Sequence, residues 1–270
     1  QKPRGTRDFL PDEMAQRREL EQKMRKVAAS FGYGEVMTPM FEEQELFVLK
    51  SGDGILGEMY AFEDKGGRGI ALRPELTAPT IRAYVNEAQV APKPLRWFYF
   101  EECFRYERPQ KGRYRQFWQF GCELIGADSA AADAEVIALA YSLLKCTGVN
   151  FIIKVGHLAP MKSLLADLDA VEQKKVMSAL DKRDEELLKN TVASLGKPEL
   201  FEPLVALTKA QSLAEVFAVV GDIPEKARIE ETFGFLEAQN IPVVYNFGIA
   251  RGLDYYTGMV FEGFADNLGA

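Results

Sequence analysis

The sequence predicts an α+β fold: a mostly antiparallel sheet of hairpin-linked strands, flanked by helices and interrupted by a helical insertion. Two observations carry this. Segments that alternate with period two come in pairs joined by polar or glycine-rich turns, whereas the tract from about Pro160 to Asn240 is rich in Leu, Ala, Lys and Glu and lacks a comparable strand pattern. The glycine fingerprints of nucleotide-binding parallel sheets, GxGxxG and GxxxxGK[ST], are absent, which argues against a Rossmann arrangement. The implied organisation is a core over 1–159, a helical insertion over 160–240, and a return to the core over 241–270. A chain of 270 residues, 47% hydrophobic and 27% charged, can bury one large core with an insertion and is not a disordered segment.

The elements follow in order. Pro11 to Phe31 places Met14, Leu20, Met24, Val27, Ala28 and Phe31 at helical spacing, with Pro11 suited to the first turn and Gly32 to the stop, so a long amphipathic helix is expected. Val36 to Pro39 reads as a short strand whose proline suits an edge or an interface. Met59 to Glu63 and Gly69 to Leu72 flank the turn DKGGR and read as a hairpin. Thr77 offers an N-cap for a helix over Ala78 to Glu87. Leu95 to Glu102 is an aromatic strand. After a basic loop, Gln116 to Ile125 alternates, with Trp118, Phe120, Cys122 and Leu124 on a core face and Phe117, Gln119, Gly121, Glu123 and Ile125 on the other. A helix over Asp133 to Leu144 and a strand over Phe151 to Val155 precede the insertion; Val243 to Phe247 and Met259 to Phe264 resume strand character after it.

Composition narrows the chemistry. The longest strongly apolar stretch, Val136 to Leu144, is broken by Ser142 and falls short of the roughly 20 residues a bilayer requires, so no membrane span is expected. The N-terminal stretch from Lys2 to Arg7 is charged and has no apolar segment of a secretory signal, which points to the cytoplasm. Three cysteines in no CxxC pair argue against a disulfide framework, and a single histidine, His157, removes mechanisms that need two imidazoles. That histidine is expected to be structural or to neighbour a substrate. The net charge of -7 gives no overall field that draws the chain to nucleic acid.

Two features stand out against this acidic background. Phe104 to Arg115, FRYERPQKGRYR, holds Arg105, Arg108, Lys111, Arg113 and Arg115 with one carboxylate, Glu107: either a solvated hairpin tip or a local site for a polyanion. On the strand that follows, Gln119 and Glu123 share a face with Gly121 between them, an arrangement that either faces water or leaves room above the sheet for a bound molecule.

Four separated blocks, PRGTRDFLP (Pro3–Pro11), LRPELTAP (Leu72–Pro79), FRYERPQKGRYRQFWQFGCELIG (Phe104–Gly126) and RGLDYYTGMVFE (Arg251–Glu262), resemble the histidyl-tRNA synthetases, class II aminoacyl-tRNA synthetases, and most of all the archaeal ones. The resemblance implies a class II antiparallel sheet and a reaction in two steps. Histidine attacks the α-phosphorus of ATP to give histidyl-adenylate and pyrophosphate, and the histidyl group then passes to tRNA(His). It implies catalytic roles for Arg105 and Arg251 on the α-phosphate; ATP contacts from Arg105, Glu107, Arg113 and Arg251; and a histidine site of Glu75, Leu76, Thr77, Gln119, Glu123, Tyr255 and Tyr256. Within that set, Glu75 and Thr77 are expected to hold the α-ammonium while Glu123 and the tyrosines read the imidazole. ATP is the implied co-substrate and Mg²⁺ the implied metal, with no legible protein ligands. A homodimer through motif 1, carried onto Gly34 to Pro39 and the helix before it, is implied as well.

The family pattern continues past the final NLGA with a GGGRYD block, motif 3 and an anticodon-binding domain, so the sequence looks like a truncated catalytic fragment, with weak or absent activity on its own. Two other readings share the fold: a catalytically inactive histidine-sensing regulatory subunit of ATP phosphoribosyltransferase, and the synthetase-like domain of a stress kinase. The presence of Arg105, Arg113 and Arg251 together favours the enzyme.

Overall fold

The structure, a computed structural model, describes residues 1–51, 53–107, 112–248 and 256–265. The chain forms two compact units, one of 1–127 with 142–148, the other of 128–141 with 149–265 among the described residues. Mixed helices and largely antiparallel sheets make it α+β, as the alternating patterns predict.

The first unit begins with helix α1 (Pro11–Ser30), ended by Gly32 in the left-handed region at φ 82°. Its inward stripe differs from the expected one. Leu20 is 37% exposed, while Glu21 and Ala28 are buried and Arg17 and Arg25 turn inward. Arg17 stacks on Trp118 with its guanidinium carbon 3.3 Å from the ring centroid, and Arg25 is 6.0 Å from the centroids of both Phe98 and Phe100. Glu21 bridges Arg18 at 2.6 Å and Arg25 at 2.8 Å; burial alone would raise its pKa, but the two guanidinium groups outweigh it and hold the carboxyl below its ordinary value. Charged side chains thus build a face that hydropathy assigns to apolar ones, because an aromatic surface accepts a flat guanidinium.

Strand β1 (Gly34–Glu35) pairs in parallel with β5 (Leu95–Phe104), which in turn pairs antiparallel with β6 (Gln116–Ile125) from Leu95↔Ile125 to Phe104↔Gln116. The short strand therefore precedes the Val36–Pro39 segment expected for it. Beyond the Val36 N–H, bonded to the Phe98 carbonyl, the carbonyls of Thr38 and Pro39 turn to the Arg73 side chain instead of a ladder. A second sheet has the order β2-β4-β3, all antiparallel, with β2 Phe41–Glu43, β3 Tyr60–Glu63 and β4 Gly69–Leu72. Helix α2 (Gln44–Ser51) lies between β2 and β3. Helix α3 (Thr77–Ala83) continues as a π turn over Tyr84–Ala88. Its cap is a correction to the sequence reading: Thr77 is the first helical residue, and the Glu75 carboxylate accepts from the Thr77 N–H at 2.7 Å and the Ala78 N–H at 3.0 Å.

The second unit holds a sheet of order β8-β7-β9, with β7 Phe151–His157, β8 Val244–Tyr245 and β9 Met259–Ala265. Helix α4 (Ala130–Cys146) contributes residues to both units. Between β7 and β8 come α5 (Leu158–Leu164), α6 (Ala170–Asp181), α7 (Glu185–Ser194), α8 (Phe201–Lys209), α9 (Leu213–Val220) and α10 (Lys226–Ala238), the run of helices that the 160–240 composition predicts. Asp169, Asp184 and Ser212 cap α6, α7 and α9 with side-chain oxygens on early N–H groups. At Gly156 a Cβ would overlap the Asn246 carbonyl, so only glycine lets β8 approach β7 here.

Candidate active site

The N-terminal end of α3 meets the face of the β5–β6 ribbon that carries Gln119 and Glu123, through Leu76 and Thr77. Tyr99 on β5 sits across from Gly121, and its ring occupies the volume a Cβ at Gly121 would need. The open space expected above Gly121 is therefore filled, from the neighbouring strand. Tyr99, 3% exposed, donates its hydroxyl to Glu123 Oε1 at 3.0 Å and lies 3.4 Å from Thr77 Oγ1. Burial, reinforced by the negative charge of Glu123, raises the Tyr99 pKa far above its ordinary value, so the phenol keeps its proton. Leu76 is fully buried with Tyr99 and Cys103, and Phe117 packs against them. Cys103 donates to Gln119 Oε1 at 3.4 Å, and burial pushes its thiol up to about 12. Cys103 is thus a buried small residue with no thiolate reactivity.

Glu75, Leu76, Thr77, Gln119 and Glu123 are thereby brought to one face, through Tyr99 and α3. Leu76 contributes packing; Glu75, Thr77, Gln119 and Glu123 contribute acceptors and donors. A carboxylate pair with a hydroxyl and an amide suits a ligand that carries an ammonium and ring N–H groups.

At the open end of the same ribbon stand the cations. The Arg105 N–H bonds the Arg115 carbonyl at 3.0 Å, which closes the pairing, and the Arg115 N–H bonds the Gly5 carbonyl at 2.8 Å, which pins the N-terminal block beneath it. Gly5 has φ 83° and a Cβ there would press on the Arg115 stem. The Arg105 guanidinium lies 5.2 Å from the Phe117 ring centroid, with its Nε donating to the Pro74 carbonyl at 2.9 Å. Its Nη1 is 3.8 Å from Glu107 Oε1, and Arg113 Nη1 is 3.7 Å from Glu107 Oε2. Those separations exceed the ~2.7–2.9 Å of a charge-assisted hydrogen bond, so Glu107 lies near both guanidinium groups without a close hydrogen bond to either. Two guanidinium groups held in this way have the charge and the donors to take up a polyanion.

Sequence reasoning missed two residues of this region. Tyr99 escaped because period-two alternation gives the face of a residue and not what its cross-strand neighbour fills. Arg73, 1% exposed and joined to the carbonyls of Glu102, Thr38 and Pro39 and to the Glu101 carboxylate, escaped because an arginine in LRPE reads as surface by composition. Tyr256 is in the second unit, 44% exposed, with its carbonyl accepting from Lys162 Nζ at 3.4 Å. Arg251 and Tyr255 lie outside the described residues.

His157 ends β7 and caps α5: its Nδ1 accepts from the Ala159 N–H at 3.0 Å. The accepting nitrogen carries no proton, and burial lowers the pKa of the ring, so His157 is held neutral in a structural role. A cavity of about 340 Å³ opens in the second unit among β7, β8 and the helices α6 to α8, and none of the expected site residues that the structure describes lines it. Two of its charges have local tasks: Asp184 caps α7 and Glu185 pairs with Lys209 at 2.8 Å. Among the described residues no helix is long and apolar enough to cross a membrane.

The family model described as histidyl-tRNA synthetase matches residues 5–270 of the chain. The chain belongs to the histidyl-tRNA synthetase family. The histidine–tRNA ligase of Methanocorpusculum labreanum is 79% identical over 270 residues, covering 100% of this chain and 66% of that protein. The chain thus spans about 66% of the length of the curated relatives it matches. Two crystal structures show the fold. An ATP phosphoribosyltransferase regulatory subunit/histidyl-tRNA synthetase from Bacillus halodurans superimposes with TM-score 0.88 at 27% identity, over 100% of this chain and 74% of that one. The apo histidyl-tRNA synthetase of S. aureus does so with TM-score 0.68 at 29% identity, over 97% and 61%. The class II fold and the archaeal affinity expected from the motif blocks are both borne out.

Proposed function

We propose that the chain activates histidine with ATP and serves the charging of tRNA(His), and that the β5–β6 face is where the amino acid sits. The observation that carries this reading is the convergence of Glu75, Thr77, Gln119 and Glu123 on one face, with Arg105 and Arg113 at its open end. An attacking carboxylate and a polyphosphate repel one another, and fixed guanidinium groups lower that barrier without waiting for solvent to reorganise. In this reading Arg105 forks across the substrate carboxylate and the α-phosphate, and Arg113 with Glu107 meets the outer phosphates. Glu75 and Thr77 receive the α-ammonium, Leu76 holds them in place by packing, and Gln119 lies beside the amino acid. Glu123 accepts a ring N–H while Tyr99 fixes its other side.

The family resemblance also assigns Tyr255 and Tyr256 to the imidazole and Arg251 to the α-phosphate as a second cation. A magnesium ion would ride chiefly on the polyphosphate. Among the described residues no group of three or more His, Cys, Asp or Glu side chains gathers to cage one, which suits a metal that prefers phosphates, waters and one or two carboxylates. The organisation into a core, a 160–240 insertion and a returning core is part of the same proposal, as are a cytoplasmic location and a homodimer. Met37 (80% exposed), Met40, Phe41, Leu49 and Phe62 give the first unit an apolar surface that a second copy of the chain would cover.

The test is histidine-dependent exchange of pyrophosphate into ATP by a protein of the relatives' full length. Exchange is expected, and Arg251→Ala is expected to lower it by about 10²–10³-fold while histidine binding largely survives. Histidine binding with no exchange, together with stimulation of an added ATP phosphoribosyltransferase, would favour the regulatory reading.

A further inference from the structure

Arg73 is the largest fully buried side chain of the first unit, and the roles above do not use it. Its donors reach two stretches of chain. Nε bonds the Glu102 carbonyl at 2.7 Å, Nη1 bonds the Thr38 carbonyl at 2.9 Å and the Pro39 carbonyl at 3.3 Å, and Nη2 meets Glu101 Oε2 at 3.0 Å. The main chain repeats the connection: the Arg73 N–H bonds the Met40 carbonyl at 3.1 Å, and the Phe104 N–H bonds the Arg73 carbonyl at 2.9 Å. The next residue, Pro74, supplies the carbonyl that orients Arg105 Nε, and the one after it, Glu75, caps α3.

We propose that Arg73 is a positioning residue that locks the 38–40 segment to the end of β5 and thereby sets the direction of the Arg105 guanidinium. A buried cation is retained at a cost in desolvation unless each donor is met, and here one planar fork satisfies acceptors from both segments at once. A lysine ammonium keeps the charge but presents its donors from a single point, so it cannot span the same acceptors. The 38–40 segment adjoins exposed Met37 and Phe41, so whatever covers that surface is mechanically joined to Arg105 through Arg73. The proposal takes the task of Arg105 from the function proposed above; the linkage itself does not depend on that task.

Two measurements test it on Arg73→Lys. In the chain itself, amide hydrogen exchange at Arg73 and Phe104 is expected to accelerate at least about tenfold, while the amides of α1 keep their protection. In a protein of the relatives' length, the kcat of adenylate formation is expected to fall about 10–100-fold with the KM for histidine nearly unchanged. The same substitution placed on Arg105→Ala should add less than about twofold, since Arg73 acts through Arg105. An equal loss in both backgrounds, or unchanged exchange at the two amides, overturns the proposal. Should Arg73→Lys not fold, Glu101→Gln, which removes only the charge partner, is expected to give the same pattern at smaller size, and its failure to do so counts equally against it. If the parent shows no histidine-dependent exchange, the proposed function fails while the amide readings still decide the linkage.

Discussion

The two faces of the β5–β6 ribbon use the same residue types to opposite ends. Beneath α1, Arg17 and Arg25 lie over Trp118, Phe98 and Phe100, and Arg25 is also paired with Glu21 and Glu35, so the cations there are spent on holding a helix to a sheet. Phe98 and Phe120 stack at 5.5 Å to complete that layer. On the other face the Tyr99 hydroxyl meets Glu123 and Thr77, Glu75 accepts from the Thr77 N–H and Gln119 from the Cys103 thiol, and Arg105 and Arg113 stand 3.8 and 3.7 Å from Glu107. A guanidinium laid on aromatic rings or paired with carboxylates of its own helix is structural, while one whose remaining donors meet no described residue at close range can take an incoming anion. Charge and aromatic content do not distinguish the two faces; the geometry of the donors does.

The sharpest way to break this contrast is to truncate one arginine from each face. Arg105→Ala is expected to reduce the kcat of adenylate formation by about 10²–10³-fold with little change in thermal stability, the signature of lost transition-state charge stabilisation. Arg17→Ala is expected to leave that rate alone and to lower stability by about 1 kcal/mol, the scale of a cation–π contact with some lost packing. If both variants lose stability and neither loses rate, the two faces are alike and the contrast is void.

A smaller effect probes the closed floor of the site. Gly121→Ala forces a methyl group into the Tyr99 ring, so thermal denaturation should show a loss of about 1–3 kcal/mol, as overpacking in a fitted core does. A neutral result would mean that the ring gives way and that the space above Gly121 is open after all.

The smallest effect lies in the second unit, where His157 has a structural task. Its folded pKa is lowered by burial, so the neutral ring contributes stability that is complete above the unfolded value near 6.5 and is lost as pH falls through the lower folded value. His157→Ala should cost about 1 kcal/mol at neutral pH and flatten the acid dependence of the melting temperature. His157→Asn should flatten it equally while keeping the cap. Unchanged acid sensitivity in both variants would assign that sensitivity to other groups.

Much of this architecture was legible in the sequence where a period sets it. The long first helix and the alternating β6 follow from spacing, because backbone hydrogen bonding imposes 3.6 or 2 residues per repeat, and the helical tract after β7 follows from a composition rich in Leu, Ala, Lys and Glu. Positions decided by a partner distant in sequence were not. Leu20 faces outward because the aromatic ribbon takes Arg17 and Arg25; Glu75 displaces Thr77 as the cap because its carboxylate reaches two N–H groups; and the 36–39 segment leaves its ladder because a buried guanidinium takes its carbonyls. The candidate site was proposed as a set of residue types from the motif blocks, of which Glu75, Leu76, Thr77, Gln119 and Glu123 share a face. Its closed floor was not, since nothing in the spacing of Gln119, Gly121 and Glu123 records that Tyr99 stands opposite.

The most direct test of the central claim, that the Glu123 face of the ribbon is the amino-acid site, is a crystal of the chain grown with histidine. The account predicts the α-ammonium within hydrogen-bonding distance of Glu75 and Thr77 Oγ1 and the imidazole beside Glu123, with the Tyr99 hydroxyl still on that carboxylate. Histidine seated in the cavity lined by Lys154 and Tyr245, or anywhere away from Glu75 and Glu123, would contradict it.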